Sequence, residues 1–131
     1  MTPQQIAEAV RDTMLAKDHA SRSLGIECSA VGPGAATVQM TVRETMLNGF
    51  GSCHGGLITT VADTAFGLAC NSHIVWTVAS GFDVAIVAPG YVGDVLTARA
   101  AEVSRAGGTG AYDIPVRNHA DKLVAVFRGR S

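Results

Sequence analysis

Two features of this chain have the residue types for chemistry. One is a glycine-rich loop, Asn48-Gly49-Phe50-Gly51-Ser52-Cys53-His54-Gly55-Gly56. The other is a single carboxylate, Asp63, which is the only Asp, Glu, Lys or Arg between Glu44 and Asp83. Glycines that open a helix let the backbone approach a ligand and leave the first N–H groups unpaired. With the positive end of the helix dipole, such donors make an anion or oxyanion site. The plainer alternative is a flexible turn that merely feeds the helix. Asp63 also reads two ways: as a solitary Asp bonded to a neighbouring backbone group, or as a carboxylate desolvated by an apolar helix. Desolvation raises a carboxyl pKa and makes the ionised form a stronger base, able to activate water or to attack an acyl carbon.

Other reactive side chains carry less. Cys53 precedes His54, but adjacency in sequence does not make a nucleophile and its base meet in space. His54 reads instead as a loop-shaping group or a substrate contact. Cys28 and Cys70 read as small apolar residues. The four histidines show no metal-ligand spacing, and His54 and His73 fall at opposite ends of the helix. No Walker-type or dinucleotide motif occurs.

The element that positions Asp63 runs to Asn71. Thr60, Asp63, Thr64, Gly67 and Asn71 fall on one narrow polar stripe at helical spacing. Leu57, Ile58, Val61, Ala62, Ala65, Phe66, Leu68, Ala69 and Cys70 fill the rest of the wheel, which predicts a helix wrapped nearly all round by protein. Before it, residues 3–18 read as a helix capped by Thr2 with Pro3 in its first turn. Residues 26–31 and 36–42 read as strands, the second with Val38, Met40 and Val42 on one face. After the helix, Trp76, Val78, Phe82, Val84 and Ile86 alternate through a long strand segment bent near Ser80-Gly81. Residues 94–104, 110–117 and 122–128 follow as strands, with Pro115 pointing to an edge or a bulge. The order predicts an α+β single domain over residues 1–131: one antiparallel sheet wrapped round one long helix, with an extra N-terminal helix.

Composition narrows the classes. A chain of 131 residues, nearly half of them hydrophobic, suits one folded domain. No apolar run reaches the ~18 residues needed to span a bilayer, and the first residues carry charges unlike a secretory signal. Three cysteines without framework spacing argue for a reducing cytoplasm. A net charge of −1 argues against nucleic acid as a partner. Charged residues make up only 16%, which hints at an oligomer that buries part of the surface.

The motifs MLNGFGSCHGG (Met46–Gly56) and ADTAFGLACNS (Ala62–Ser72), with TGAYDI (Thr109–Ile114) and VAVFRGRS (Val124–Ser131), resemble the hotdog-fold acyl-CoA thioesterases, in particular their phenylacetate-pathway (PaaI-type) branch. The hallmark combination is Asn48-Gly49, His54-Gly55-Gly56 and Asp63. The resemblance implies hydrolysis of an acyl-CoA, of arylacetyl type for this branch, to a free acid and CoA, with no metal and no prosthetic group. Carried over by position, the Gly55 N–H polarises the thioester carbonyl, Asp63 is general base or nucleophile, and Asn48 and His54 shape or contact the reacting centre. Gly56 and Thr64 are candidate substrate contacts. Arg128 and Arg130 are the best clustered cations for the CoA phosphates, with solvated terminal charges as the alternative. Competing readings are a non-catalytic acyl-CoA-binding hotdog protein, a hydratase, which this helix disfavours because it carries no interior His, and a thioesterase for other aromatic or medium-chain acyl-CoAs.

One length bears on assembly. Gly55 and Asp63 lie eight residues apart, about 12 Å along a helix at ~1.5 Å per residue. A donor and a base that serve one carbonyl must each come within roughly 3 Å of it. One chain therefore cannot easily supply both. A two-fold homodimer with antiparallel central helices would bring Asp63 of one chain to Gly55 of the other, giving two composite sites. The family resemblance implies the same arrangement, with two such dimers forming a tetramer.

Overall fold

The computed structural model describes all 131 residues. It contains α1 (Pro3–Lys17), α2 (His19–Ser23), β1 (Glu27–Gly32), β2 (Ala35–Thr41), a short 3-10 turn (Glu44–Met46), α3 (Gly55–Asn71), β3 (Gly81–Ile86), β4 (Val95–Ala106), β5 (Thr109–Arg117) and β6 (Leu123–Arg130). The six strands form one antiparallel sheet in the order β1-β2-β4-β5-β6-β3. The sheet curls round α3, and α1 packs beside α3 and β1. Thr2 starts α1 with a capping box: its Oγ1 accepts from the Gln5 N–H at 3.1 Å, and Gln5 Oε1 accepts from the Thr2 N–H at 2.8 Å.

Period-2 patterning sets the inner face. Ala36, Val38 and Met40 on β2, Leu96, Ala98 and Ala100 on β4, and Tyr112, Ile114 and Val116 on β5 are all buried against the helix. Many of these residues are small, as are Ala62, Ala65 and Ala69 on the helix, so α3 sits close to the sheet. Phe66 fixes its seat. The ring lies 5.6 Å from Tyr112 and 5.9 Å from Phe127 between centroids, and it rests on Gly129, where a Cβ would come within 2.8 Å of three ring carbons.

Two expectations need correction. The residues around Trp76 and Val78 are not strand; β3 begins only at Gly81. Asn71 is the cause, because its Nδ2 donates to the Thr77 carbonyl at 3.0 Å and its Oδ1 accepts from the Thr77 N–H at 2.7 Å. This pair of hydrogen bonds folds the segment back onto the helix end and uses the backbone groups a strand would need. Of the two places expected for Pro115, an edge or a bulge, the edge is excluded, while the ladder to β6 shifts register just beyond it, between Val116 and Arg117. Pro115 lies in β5 between β4 and β6, paired to Val126, and the β4 ladder skips its position. The missing proline N–H is absorbed as a gap in one ladder.

Gly129→Ala should lose about 1–3 kcal/mol of stability, the usual cost of overpacking a close-packed core. Urea unfolding measures it. A loss under about 0.5 kcal/mol would mean that the Phe66 ring can move aside and does not fix the helix.

Candidate functional site

The loop before α3 is held by its own side chain. Asn48 Oδ1 accepts from the Phe50 N–H at 2.9 Å and the Ser52 N–H at 3.3 Å, while the Asn48 N–H donates to the Ser52 carbonyl at 2.8 Å. Gly51 takes φ +81°, a conformation that favours glycine. The loop is tied to the body of the protein by Cys53 N–H to the Gly90 carbonyl at 2.7 Å and His54 N–H to the Met46 carbonyl at 2.9 Å. These bonds aim the chain into α3.

The first turn of α3 then presents free donors. The His54 carbonyl accepts from the N–H groups of Leu57 and Ile58, at 2.9 and 3.2 Å, whereas the Gly55 and Gly56 N–H groups have no acceptor in the chain. Packing does not explain glycine here. A Cβ at Gly55 would touch only Ile86 at 3.7 Å, and one at Gly56 would reach only the His54 ring at 4.0 Å. Bare backbone at this point suits something outside the chain coming close. The His54 side chain is exposed beside these donors.

Asp63 lies two turns further along the stripe that begins at Gly56. The apolar wheel of α3 is covered, and the narrow polar stripe is the part left open: His54, Gly56 and Asp63 are exposed and Thr60, Thr64 and Gly67 are half-buried. Asp63 enters no ion pair. Its carboxyl pKa is nonetheless raised, first by desolvation from the surrounding helices and second by the negative charge of Asp18. Asp18 stands at the corner between α1 and α2. It caps α2 by accepting from the Ser21 N–H at 3.0 Å, and Ser21 Oγ in turn lies 3.0 Å from Thr64 Oγ1. Thr64 also donates to the Thr60 carbonyl at 2.9 Å, so its hydroxyl belongs to a network that anchors the α1–α2 corner to α3.

The structure thus brings Asn48, His54, Gly55 and Gly56 together at one helix end, with Asp63 and Thr64 farther along. It does not bring Gly55 and Asp63 to a common point, because α3 runs unbroken between them. Arg128 and Arg130 lie elsewhere, on the outer face of β6. Arg128 holds Asp113 through Nε at 2.6 Å and Nη2 at 2.8 Å, and Arg130 reaches Asp83 at 2.9 Å. Each guanidinium keeps further N–H donors. Cys53 is buried, and burial pushes its thiol pKa up, away from the thiolate a nucleophile needs. Cys28 and Cys70 are shifted the same way by burial, Cys70 to about 11. His73 belongs to a different cluster at the far end of α3, with Nε2 3.1 Å from Glu102 Oε1, which also accepts from the Tyr112 hydroxyl at 3.0 Å. Nowhere do three His, Cys, Asp or Glu side chains gather as a metal site would require.

Sequence reasoning missed Asp18, Met14 and Trp76, which line a groove with Asp63. They come from segments remote in sequence, and no local pattern in the chain marks their approach.

Comparison with known proteins agrees with this architecture. Residues 50–125 match the thioesterase superfamily. The chain is 45% identical over 118 residues to the acyl-coenzyme A thioesterase PaaI of Escherichia coli (strain K12), covering 90% of this chain and 84% of that protein. The solved E. coli PaaI protein, from the phenylacetic acid degradation operon, superposes with a TM-score of 0.96 at 41% identity, covering 98% of this chain and 94% of that one. A hypothetical thioesterase from Streptococcus pneumoniae TIGR4, solved with coenzyme A, superposes with a TM-score of 0.77 at 25% identity, covering 80% and 85%.

The Asp18 charge disfavours a second negative charge on Asp63, so Asp18→Asn should lower the Asp63 pKa toward the ordinary carboxylate range. A carboxyl-13C NMR titration would follow this directly. An unchanged midpoint would leave desolvation as the only cause of the shift.

Proposed function

The chain belongs to the thioesterase superfamily, has the hotdog fold and is a thioester hydrolase, and we propose that its substrates are acyl-CoA thioesters carrying an arylacetyl group, of phenylacetyl or hydroxyphenylacetyl type. The observation that carries this reading is one uncovered stripe of α3. It holds unpaired N–H donors at Gly55 and Gly56 and, two turns on, a carboxylate made more basic by its surroundings. The name of the E. coli relative supports CoA as the leaving group, and its operon supports the acyl class.

In the proposed reaction the Gly55 N–H binds the carbonyl oxygen and stabilises the negative charge that grows there. Asp63 then serves in one of two ways. As general base it takes a proton from water, whose oxygen bonds to the carbonyl carbon. The C–S bond breaks, and the sulfur leaves with the proton as CoA. As nucleophile its oxygen bonds to the carbonyl carbon and expels the thiolate, and water then cleaves the mixed anhydride. Neither route calls for a cofactor or a metal. Asn48 holds the loop that aims the Gly55 donor. His54 and Gly56 border the reacting centre, Thr64 borders Asp63, and free donors of Arg128 and Arg130 are available to the CoA phosphates. The proposed location is the cytoplasm, a reading supported by three cysteines without framework spacing.

We assign the working unit to a homodimer with composite sites, two dimers pairing into a tetramer. Two observations support it. Donor and carboxylate are separated along one rigid helix. In addition, β3 is an edge strand whose inner residues Phe82, Val84 and Ile86 stay 42%, 37% and 44% exposed, with no Lys or Pro to guard the edge.

Thiol release from a panel of acyl-CoAs tests the reading. Arylacetyl-CoA should be turned over, and Asp63→Asn should reduce kcat at least ~10²-fold. The variant should keep its unfolding midpoint, since the carboxylate makes no ion pair. Normal turnover by Asp63→Asn would remove the mechanism, and binding without turnover by the parent would favour a non-catalytic acyl-CoA sensor.

A further inference from the structure

The chain between α3 and β3 holds a strained residue. Residues 73–80 form neither helix nor strand, and within them Ile74 sits at φ +70°. That is the left-handed region, which a β-branched side chain avoids because its Cβ crowds the following carbonyl. Asp121, the other non-glycine residue there, at φ +63°, is of a type that tolerates it. The Ile74 side chain is not part of the hydrophobic core, so packing within the chain does not offset the strain.

Side-chain bonds hold this turn from both sides. His73 Nε2 lies 3.1 Å from Glu102 Oε1, and the same oxygen accepts from the buried Tyr112 hydroxyl at 3.0 Å. Burial, and then Glu102, raise the Tyr112 pKa, so the phenol stays a donor that keeps the carboxylate in place. Further on, the Asn71 carboxamide grips both backbone groups of Thr77. The amides of Val75, Trp76, Val78 and Ala79 have no acceptor in the chain. The segment joins the sheet only where the Ser80 N–H donates to the Arg130 carbonyl at 2.8 Å. There is space on either side of it. Thr77, Val78 and Ala79 border a groove of about 630 Å³ that also contains Asp63. His73, Val75 and Thr77 border a second cavity of about 260 Å³, beside the β4–β5 turn, with Arg105 and Tyr112.

We propose that residues 73–80 are a strap under tension: strain at Ile74 favours its release, the His73–Glu102 and Asn71–Thr77 ties hold it, and release lets it withdraw toward the second cavity and open the way to Asp63. The role in access rests on the thioesterase reading; the motion itself does not.

Amide hydrogen exchange at Thr77, read by mass spectrometry on the full-length assembled protein, tests the motion with any contacts to a second copy present in every variant. Ile74→Asn puts a residue that tolerates the left-handed region at this position, so exchange should slow at least ~3-fold. Glu102→Gln keeps an acceptor for Tyr112 but weakens the tie to His73, so exchange should speed up at least ~3-fold. In both variants, exchange in β2 and β6 should stay within about twofold of the parent, which separates strap release from general loosening. If Glu102→Gln does not fold, His73→Ala replaces it with the same expectation. For an acyl-CoA that the parent hydrolyses, kcat/KM should follow the strap, at least ~2-fold down in Ile74→Asn and ~2-fold up in Glu102→Gln, because only the released fraction admits substrate. Equal exchange in parent and variants, shifts of both variants in one direction, or an unmoved kcat/KM beside shifted exchange would overturn the proposal. A parent without thioesterase activity would instead remove the reading behind the access role, and exchange at Thr77 would still decide the motion.

Discussion

The rotation of α3 about its own axis governs everything else in this molecule. That rotation is set where the Phe66 ring lies on Gly129, between Tyr112 and Phe127. Small residues on both sides allow the close approach, and a ring in a tight slot cannot turn far. With Phe66 directed into the sheet, helical geometry sets Gly56, Thr60, Asp63 and Gly67 on an adjoining stripe, roughly a quarter-turn round the helix from it. The orientation of the polar stripe is thus a consequence of how one aromatic side chain is packed on the neighbouring face of the helix.

The same packing explains the electrostatics. Asp63 reaches solvent, yet the α1–α2 corner stands close enough to desolvate it in part and to add the charge of Asp18. That corner is anchored through Ser21 and Thr64, one residue from Asp63. A carboxylate in such a place keeps its proton to higher pH than a free one and is a better base once it loses it. At the helix start, the N–H donors of Gly55 and Gly56 are exposed because the Asn48 turn directs the chain into α3 without supplying a capping acceptor. The donor site is therefore a product of local hydrogen bonding and the basic group a product of desolvation and the Asp18 charge, and the rigid helix between them fixes their separation.

Much of the fold was legible because period-2 and helical patterns are local. The alternation of Val38 and Met40, of Leu96 and Ala98, and of Tyr112 and Ile114 maps directly onto the buried face. Trp76 and Val78 carry the same pattern but form no strand, since the Asn71 carboxamide captures Thr77, a contact that alternation does not encode. The apolar wheel of α3 predicts a helix wrapped nearly all round by protein, and its apolar residues are buried or half-buried while the narrow polar stripe lies open. Sequence registers that a surface avoids charge, but not whether the same chain, a ligand or a second copy covers it. The hallmark residues from Asn48 to Asp63 could be picked out because loop and helix are contiguous. Asp18, Met14 and Trp76 could not, since tertiary packing alone brings them to Asp63.

The central claim is that one reacting centre draws its donor from one chain and its carboxylate from another. Subunit complementation measures this directly. Asp63→Ala removes the base. Gly55→Pro removes the donor where proline fits, since His54 before it is already extended at φ −58° and ψ 131° and the Gly55 N–H has no acceptor to lose. Each variant should fold and be inactive alone. Refolded together in equal amounts, random pairing makes about half the dimers mixed, each with one intact and one doubly damaged site, so about a quarter of the parent activity should return. No recovery, with mixed dimers verified by tag pull-down, would show that both groups act from a single chain and would contradict the account.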